Sequence, residues 1–237
     1  MKLLVSVQSI AEAKKIKASN FDILDIKNPK EGSLGTNFPY IIKGIREEFP
    51  DFPLSAAGGD LPNLPGLASQ VAFGLAHLDL DYIKLGLYGI QSVEAAVNLL
   101  REAKRAVEMS NAKNLKIIAA VYADFREKNT FNPFLLNEVA AECNIDGVMI
   151  DTLNKKDKNL FSFLKLKELK NFVEDGKKLN LITALAGSLK FNDLDKLREI
   201  KPDIIGFRGA VCKNEDRSAE ISPKKINFLY KNINRGI

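Results

Sequence analysis

The sequence predicts an α/β protein with a single (β/α)8 barrel, and three observations support this. Eight short apolar runs alternate with eight amphipathic segments along the chain. The runs are rich in Ile, Leu and Val, which is typical of parallel strands buried on both faces. The chain has 237 residues and no linker rich in proline or serine, and barrels of this class typically have about 250 residues. We therefore predict one barrel domain over residues 1–237.

The predicted elements alternate strictly. Strands are predicted at 3–7, 22–26, 53–57, 81–86, 115–124, 146–151, 180–187 and 203–209. Helices are predicted at 9–19, 37–49, 64–78, 92–110, 132–143, 161–179, 190–200 and 222–233. Helix starts carry capping signals such as Ser92, and Ser222 before Pro223. Four strands begin with an aspartate, namely Asp22, Asp81, Asp146 and Asp203.

The alternative to a closed barrel is a doubly wound open sheet. The eight repeats fill the chain and leave no additional elements to place, which favours the barrel. The first strand is followed by VQSIAEA and not by a GxGxxG loop, so a dinucleotide site is disfavoured. We expect no cofactor and no metal.

Composition excludes several classes of function. The two cysteines have no paired spacing, which argues against a disulfide or zinc framework and favours a cytoplasmic protein. No apolar run approaches the 18 residues or so of a membrane span, and the N-terminal run is too short for a signal peptide. The net charge of +5 is scattered, so nucleic-acid binding is not expected. A small anionic substrate suits this charge, and a homo-oligomer is left open.

Charged residues lie where barrel enzymes place their chemistry, at the C-terminal ends of strands. Lys27 ends the second predicted strand, Lys84 the fourth and Asp151 the sixth. Side chains alternate along a strand, so Asp25 faces the same side as Lys27. One lysine at a strand end is ordinarily a solvated charge, but two of equal parity with an aspartate favour a pocket. We predict that Lys27, Lys84 and Asp151 converge, with Asp25 beneath the amines.

The last two loops predict a phosphate site. The loops after strands 7 and 8 commonly bind phosphate in these barrels, and here they contain Gly187 with Ser188, and Gly209 with Ala210. Small residues allow backbone N–H groups to approach an oxyanion. Arg208 either adds a positive charge to this site or pairs with an internal carboxylate. The predicted ligand is a phosphorylated small molecule.

A buried lysine in such a pocket predicts Schiff-base chemistry. A neutral amine can attack a carbonyl and form an iminium that stabilises an adjacent carbanion, and burial or a second ammonium favours the neutral form. A second lysine or a carboxylate can then transfer protons. From these residues we predict a cofactor-free lyase or aldolase-like enzyme acting on sugar phosphates.

Several segments resemble the (5-formylfuran-3-yl)methyl phosphate synthase family, namely DILDIKNPKEGSLGTNFP, DYIKLGLYG, AAVYAD, MIDTLNKKDKNLF, ALAGSLK and GFRGAVCKNEDR. The resemblance implies a (β/α)8 barrel that condenses two molecules of glyceraldehyde 3-phosphate into 4-(hydroxymethyl)-2-furancarboxaldehyde phosphate. Phosphate and water are released, and the product supplies the furan ring of methanofuran. The resemblance also implies that Lys27 forms the Schiff base, that Lys84 transfers protons, and that Asp151 and Lys155 are further site residues.

Two other functions remain as alternatives. Another Schiff-base aldolase would use the same Lys27 chemistry on sugar phosphates without eliminating phosphate. A binding or scaffold protein would keep the barrel but would need no nucleophilic amine, so borohydride would trap no adduct with substrate.

Overall fold

The computed structural model describes residues 1–154 and 158–234, and its strands form a closed parallel barrel in the order β1 to β8. Each strand pairs in parallel with the next, and β8 pairs with β1 to close the barrel. This confirms the (β/α)8 prediction over the open doubly wound sheet. The strands are β1 Lys2–Val7, β2 Ile23–Ile26, β3 Leu54–Asp60, β4 Tyr82–Gly86, β5 Lys116–Tyr122, β6 Gly147–Asp151, β7 Ile182–Leu185 and β8 Ile204–Phe207.

The helices lie between the strands, as predicted. In the described part of the chain they are α1 Ile10–Ile16, α2 Pro39–Glu48, α3 Pro65–Ala76, α4 Val93–Met109, α5 Phe125–Lys128, α6 Leu136–Glu142, α7 Leu160–Phe163, α8 Leu166–Lys178, α9 Leu194–Ile200 and α10 Pro223–Asn232. Ser92 and Ser222 cap α4 and α10 with their side chains, which confirms both capping signals. None of the helices in the described ranges is long and apolar enough to cross a membrane.

One predicted helix is divided in two. The segment predicted as a helix over 161–179 contains α7 and α8, separated at Leu164. Leu164 is buried and has an extended backbone, which places its side chain in the core and ends α7. The backbone N–H of Lys165 then donates to the Glu168 carboxylate at 2.7 Å, which starts α8. The helical pattern of apolar residues continues across this break because α7 and α8 both contribute residues to the same core.

Four repeated contacts fix the register at the N-terminal ends of the strands. An aspartate before each even strand accepts a hydrogen bond from a backbone N–H of the preceding odd strand, at 2.7 to 2.9 Å. The backbone N–H of the same aspartate donates to the carbonyl of that odd-strand residue. We call these residues the clamp aspartates. The pairs are Asp22 with Leu3, Asp81 with Leu54, Asp146 with Ile117 and Asp203 with Thr183.

Candidate active site

The clamp aspartates define the depth of every candidate residue on the even strands. Side chains an odd number of residues after a clamp face the barrel interior, because strands alternate. The residues three positions after the clamp aspartates form one layer, which contains Asp25, Lys84, Met149 and Gly206. The residues five positions after them form the next layer, which contains Lys27, Gly86, Asp151 and Arg208. The prediction that Lys84 ends its strand is wrong, because β4 continues to Gly86, which agrees with the predicted range 81–86. Lys84 lies one layer deeper than Lys27.

Four of the predicted charged residues line one cavity of about 940 Å³, namely Asp25, Lys27, Lys84 and Asp151. Their exposures are 6% for Lys27, 2% for Lys84, 2% for Asp151 and 0% for Asp25. The structure thus brings these residues together, and neither lysine is a solvated surface charge. Lys155 lies outside the described residues.

Asp25 compensates the charge of Lys84. The Lys84 Nζ lies 2.6 Å from Asp25 Oδ1, and the Ser6 hydroxyl donates to Asp25 Oδ2 at 2.8 Å. Asp25 therefore contacts Lys84 through one carboxylate oxygen and Ser6 through the other. Ser6 is a residue that sequence reasoning missed, although it lies directly opposite Asp25 in the β1–β2 register.

The loop that follows β2 holds Lys27 in place. The Lys27 N–H donates to the Val7 carbonyl at 3.1 Å, and the buried side chain of Asn37 donates to the Lys27 carbonyl at 3.3 Å. The NPKEGSLG segment closes on itself through the Asn28 N–H, which donates to the Gly35 carbonyl at 2.8 Å. A Cβ at Gly35 would lie 2.1 Å from the Asn28 oxygen, so this turn requires glycine.

The loops after β2 and β6 are tied together above the cavity. The Ser33 hydroxyl donates to the Thr152 carbonyl at 3.0 Å. The buried Asp124 carboxylate accepts the N–H groups of Leu153 and Asn154 at 2.9 and 2.8 Å. Asp124 therefore positions the segment that follows Asp151.

The loops after β7 and β8 offer backbone donors to the same cavity. Gly187, Ser188, Gly209 and Ala210 all line it. Gly187 and Ser188 have φ values of 109° and 49°, so the chain turns sharply after β7. In residues 1–154 and 158–234, the N–H groups of Ser188, Gly209 and Ala210 have no hydrogen-bond acceptor. These donors remain available to an oxyanion.

Arg208 pairs with an internal carboxylate, which is one of the two roles that the sequence left open. Its Nη1 and Nη2 donate to Glu12 of α1 at 2.7 and 2.8 Å. Nη1 also donates to the Ser6 carbonyl at 3.1 Å, and Nε donates to the Arg217 carbonyl at 3.0 Å. A guanidinium has five N–H groups, so these contacts leave one for an anion. Arg208 thus acts mainly as a strut between α1 and the β8 loop.

Sequence reasoning missed Glu12 and Arg217. Glu12 looked like an ordinary polar residue of a surface helix, and its partner is 196 residues away. Arg217 lies in a charged loop without periodicity, yet its side chain lines the cavity. No local pattern distinguishes either residue, because both acquire their position through Arg208.

We predict that Gly187→Ala destabilises the protein, because the new methyl group would clash with Thr152 in the loop after β7. An alanine Cβ would lie 2.8 Å from Thr152 Cγ2, at a φ of 109° that L residues rarely adopt. The expected loss in the free energy of unfolding is about 1–3 kcal/mol, measured by urea denaturation. Gly74→Ala is the control, because a Cβ at this position of α3 meets nothing within 4 Å; it should gain about 0.5–1 kcal/mol. Equal stability of Gly187→Ala and wild type would contradict the prediction.

The fold and the position of the cavity define a TIM-barrel protein whose site lies at the C-terminal ends of the strands. Solved structures with this fold include KGPDC from Streptococcus mutans, with a TM-score of 0.67 and 14% identity over 99% of this chain and 97% of that one. A 3-hexulose-6-phosphate synthase has a TM-score of 0.61 and 15% identity, over 97% and 99%. Both likenesses concern the fold alone.

The chain belongs to the 4-HFC-P synthase family, whose model matches residues 3–230. Relatives named (5-formylfuran-3-yl)methyl phosphate synthase are 44% identical in Methanosarcina mazei, over 97% of both chains. In Methanocaldococcus jannaschii the identity is 44%, over 92% of this chain and 93% of the relative. In Archaeoglobus fulgidus it is 41%, over 98% and 99%. The family resemblance read from the sequence is confirmed.

Proposed function

We propose that this protein is a lyase that condenses two molecules of glyceraldehyde 3-phosphate into 4-(hydroxymethyl)-2-furancarboxaldehyde phosphate, for methanofuran biosynthesis. Membership of the family supports the reaction. One observation carries the mechanism: two buried lysines lie in successive layers of one cavity, and the deeper one is paired with Asp25. This leaves separate tasks for Lys27 and Lys84.

Lys27 is the proposed nucleophile. Its amine attacks the aldehyde carbon of one substrate, and loss of water gives an iminium. The iminium acidifies the neighbouring C–H, and removal of that proton gives an enamine. The enamine electrons expel phosphate from the third carbon, so the C–O bond breaks and phosphate leaves with the bonding pair. Covalent catalysis thus accounts for the elimination, and the enol that remains on the iminium is the nucleophile for the carbon–carbon bond.

The second substrate isomerises to its ketone, and the terminal carbon of the enol fragment adds to the ketone carbon, whose oxygen takes up a proton. Ring closure with loss of two waters gives the furan, and hydrolysis of the iminium returns the water lost on its formation and frees Lys27. Atoms balance when two glyceraldehyde 3-phosphates yield the product, one phosphate and two waters. Proton transfers are assigned to Lys84 and Asp151, which line the cavity with Lys27. Lys155 is proposed as a further proton-transfer residue on the family resemblance. The retained phosphate is placed at Gly187–Ser188 and Gly209–Ala210, whose N–H groups suit an oxyanion.

The test is incubation of the protein with glyceraldehyde 3-phosphate alone. We expect an ultraviolet chromophore of a furan aldehyde, with one inorganic phosphate released for each product. Lys43→Ala is the matched control, since Lys43 is an exposed lysine of α2, and it should retain activity. A condensation product that keeps both phosphates would instead identify a Schiff-base aldolase. No borohydride-trapped adduct would favour a binding protein.

A further inference from the structure

Arg217 is the one partly buried residue among residues 213–218, and residues 214–217 of this segment line the cavity. The loop leaves β8 and returns through an antiparallel bridge between Cys212 and Ile221. Residues 213–216 and 218 are exposed, whereas Arg217 is partly buried and lines the cavity. A partly buried guanidinium loses part of its hydration, and this loss costs free energy unless another group compensates for it.

The backbone carbonyl of Arg217 is anchored by two side chains from distant parts of the chain. Its carbonyl accepts hydrogen bonds from Arg208 Nε at 3.0 Å and from Gln8 Nε2 at 3.3 Å. Arg208 is itself fixed by the two-point ion pair with Glu12. The strut formed by Arg208 therefore sets the position of Arg217, and the loop is built around this contact.

Arg217 lies beside the backbone donors of the β8 loop. A Cβ placed on Gly209 would be 4.0 Å from the Arg217 Cβ and 3.1 Å from the Glu215 carbonyl oxygen. The lack of a side chain at Gly209 thus lets the loop pack closely here. The N–H groups of Gly209 and Ala210, which have no acceptor in the described chain, therefore lie near the base of the Arg217 side chain.

The Arg217 guanidinium forms no ion pair with a carboxylate among the described residues, although the charge of Asp151 acts on it. Within the ranges that the structure describes, it donates no hydrogen bond, and no carboxylate oxygen lies within 4.0 Å of it. Burial lowers the pKa of Arg217, an effect that the charge of Asp151 opposes and that of Arg208 reinforces. A partly desolvated cation that lines the same cavity as two backbone donors suits a phosphate group in charge and in hydrogen bonding.

We infer that Arg217 binds the substrate phosphate at the β7 and β8 loops, in the place that the sequence suggested for Arg208. The inference rests on the proposed function for the identity of the phosphate ester. Arg217 supplies the charge and a planar fork of donors, while the loops supply N–H groups. Arg208 is then a positioning residue, and Arg217 determines the preference for phosphorylated over unphosphorylated substrates.

The experiment measures binding of glycerol 3-phosphate by isothermal titration calorimetry. This ester has the three-carbon phosphate but no carbonyl, so it cannot form an imine. Arg217→Gln is expected to raise the Kd by about 10- to 100-fold, the effect of losing one or two charge-assisted hydrogen bonds. Arg217→Lys should lie between Gln and wild type, because it keeps the charge but not the fork. Arg105→Gln is the control, since Arg105 is an exposed arginine of α4, and it should bind as wild type does.

The outcomes separate this inference from the proposed reaction. If wild type binds glycerol 3-phosphate and Arg217→Gln does not, the inference holds even when glyceraldehyde 3-phosphate gives no furan. If Arg217→Gln binds as tightly as wild type, or if wild type does not bind the ester, the inference is overturned whatever the activity. A folding defect is not expected to account for a loss of binding, because the Arg217 side chain makes no hydrogen bond in the described chain. Its substitution should change the urea midpoint very little.

Discussion

Lys27→Arg should abolish turnover of glyceraldehyde 3-phosphate, with a loss of roughly ten-thousand-fold or more. A guanidinium keeps the positive charge but cannot lose a proton to become a nucleophile. Lys27→Ala should lose as much activity, because it removes the amine altogether. If charge were the only contribution of this residue, the arginine variant would instead keep most of its activity. The pair of variants therefore separates covalent from electrostatic catalysis.

The covalent step can be located directly. After borohydride reduction with glyceraldehyde 3-phosphate, wild type should carry one substrate-derived adduct on the peptide that contains Asp25, Ile26 and Lys27, as mass spectrometry would show. Lys43→Arg provides the matched control and should give the same adduct. An adduct found on Lys84 would reverse the proposed roles of the two lysines.

The second large effect is expected from the buried pair of Lys84 and Asp25. Lys84→Met removes the ammonium and leaves a fully buried carboxylate without its compensating charge, which should cost about 3–5 kcal/mol of stability. Adding Asp25→Asn removes the unpaired negative charge, while the amide oxygen can still accept a hydrogen bond from the Ser6 hydroxyl. The double variant should therefore regain most of the lost stability. The Lys84→Met variant and the double variant should both lose turnover, because both lack the amine of Lys84 that is proposed to transfer protons.

A double-mutant cycle in urea measures this coupling. We expect the two single substitutions to be non-additive by about 2 kcal/mol or more. Simple addition of the two losses would show that the charges do not stabilise each other in the folded protein. Borohydride trapping supplies the functional readout, since Lys84→Met retains Lys27 and should still form the adduct.

Much of the fold could be predicted from periodicity, because buried parallel strands and amphipathic helices leave distinct patterns. The convergence of Lys27, Lys84 and Asp151 followed from the geometry of barrels. The depth of Lys84 did not, because an apolar run shows which face a residue takes but not how far its layer lies from the rim of the barrel. Counting from Asp22 and Asp81 would have given it, since Asp25 and Lys84 both lie three residues beyond a clamp aspartate.

The remaining differences come from contacts between distant parts of the chain. The pairing of Arg208 with Glu12 joins the first helix to the last strand, and no local pattern encodes such a partner. The position of Arg217 depends in turn on that pair. Charged residues in loops are ordinarily solvated, so only the folded arrangement shows which of them turns inward.

The four clamp aspartates have a consequence for how this barrel can change over time. Each hydrogen bond spans only 19 to 29 residues, within a single strand–helix–strand unit. The floor of the barrel therefore consists of four copies of one module, a symmetry compatible with descent from a repeated quarter. At the opposite rim the equivalent positions carry an amine, a glycine, a carboxylate and a guanidinium. Because each module fixes its own strand register, substitutions at the rim can change the chemistry of the site without disturbing strand pairing at the floor.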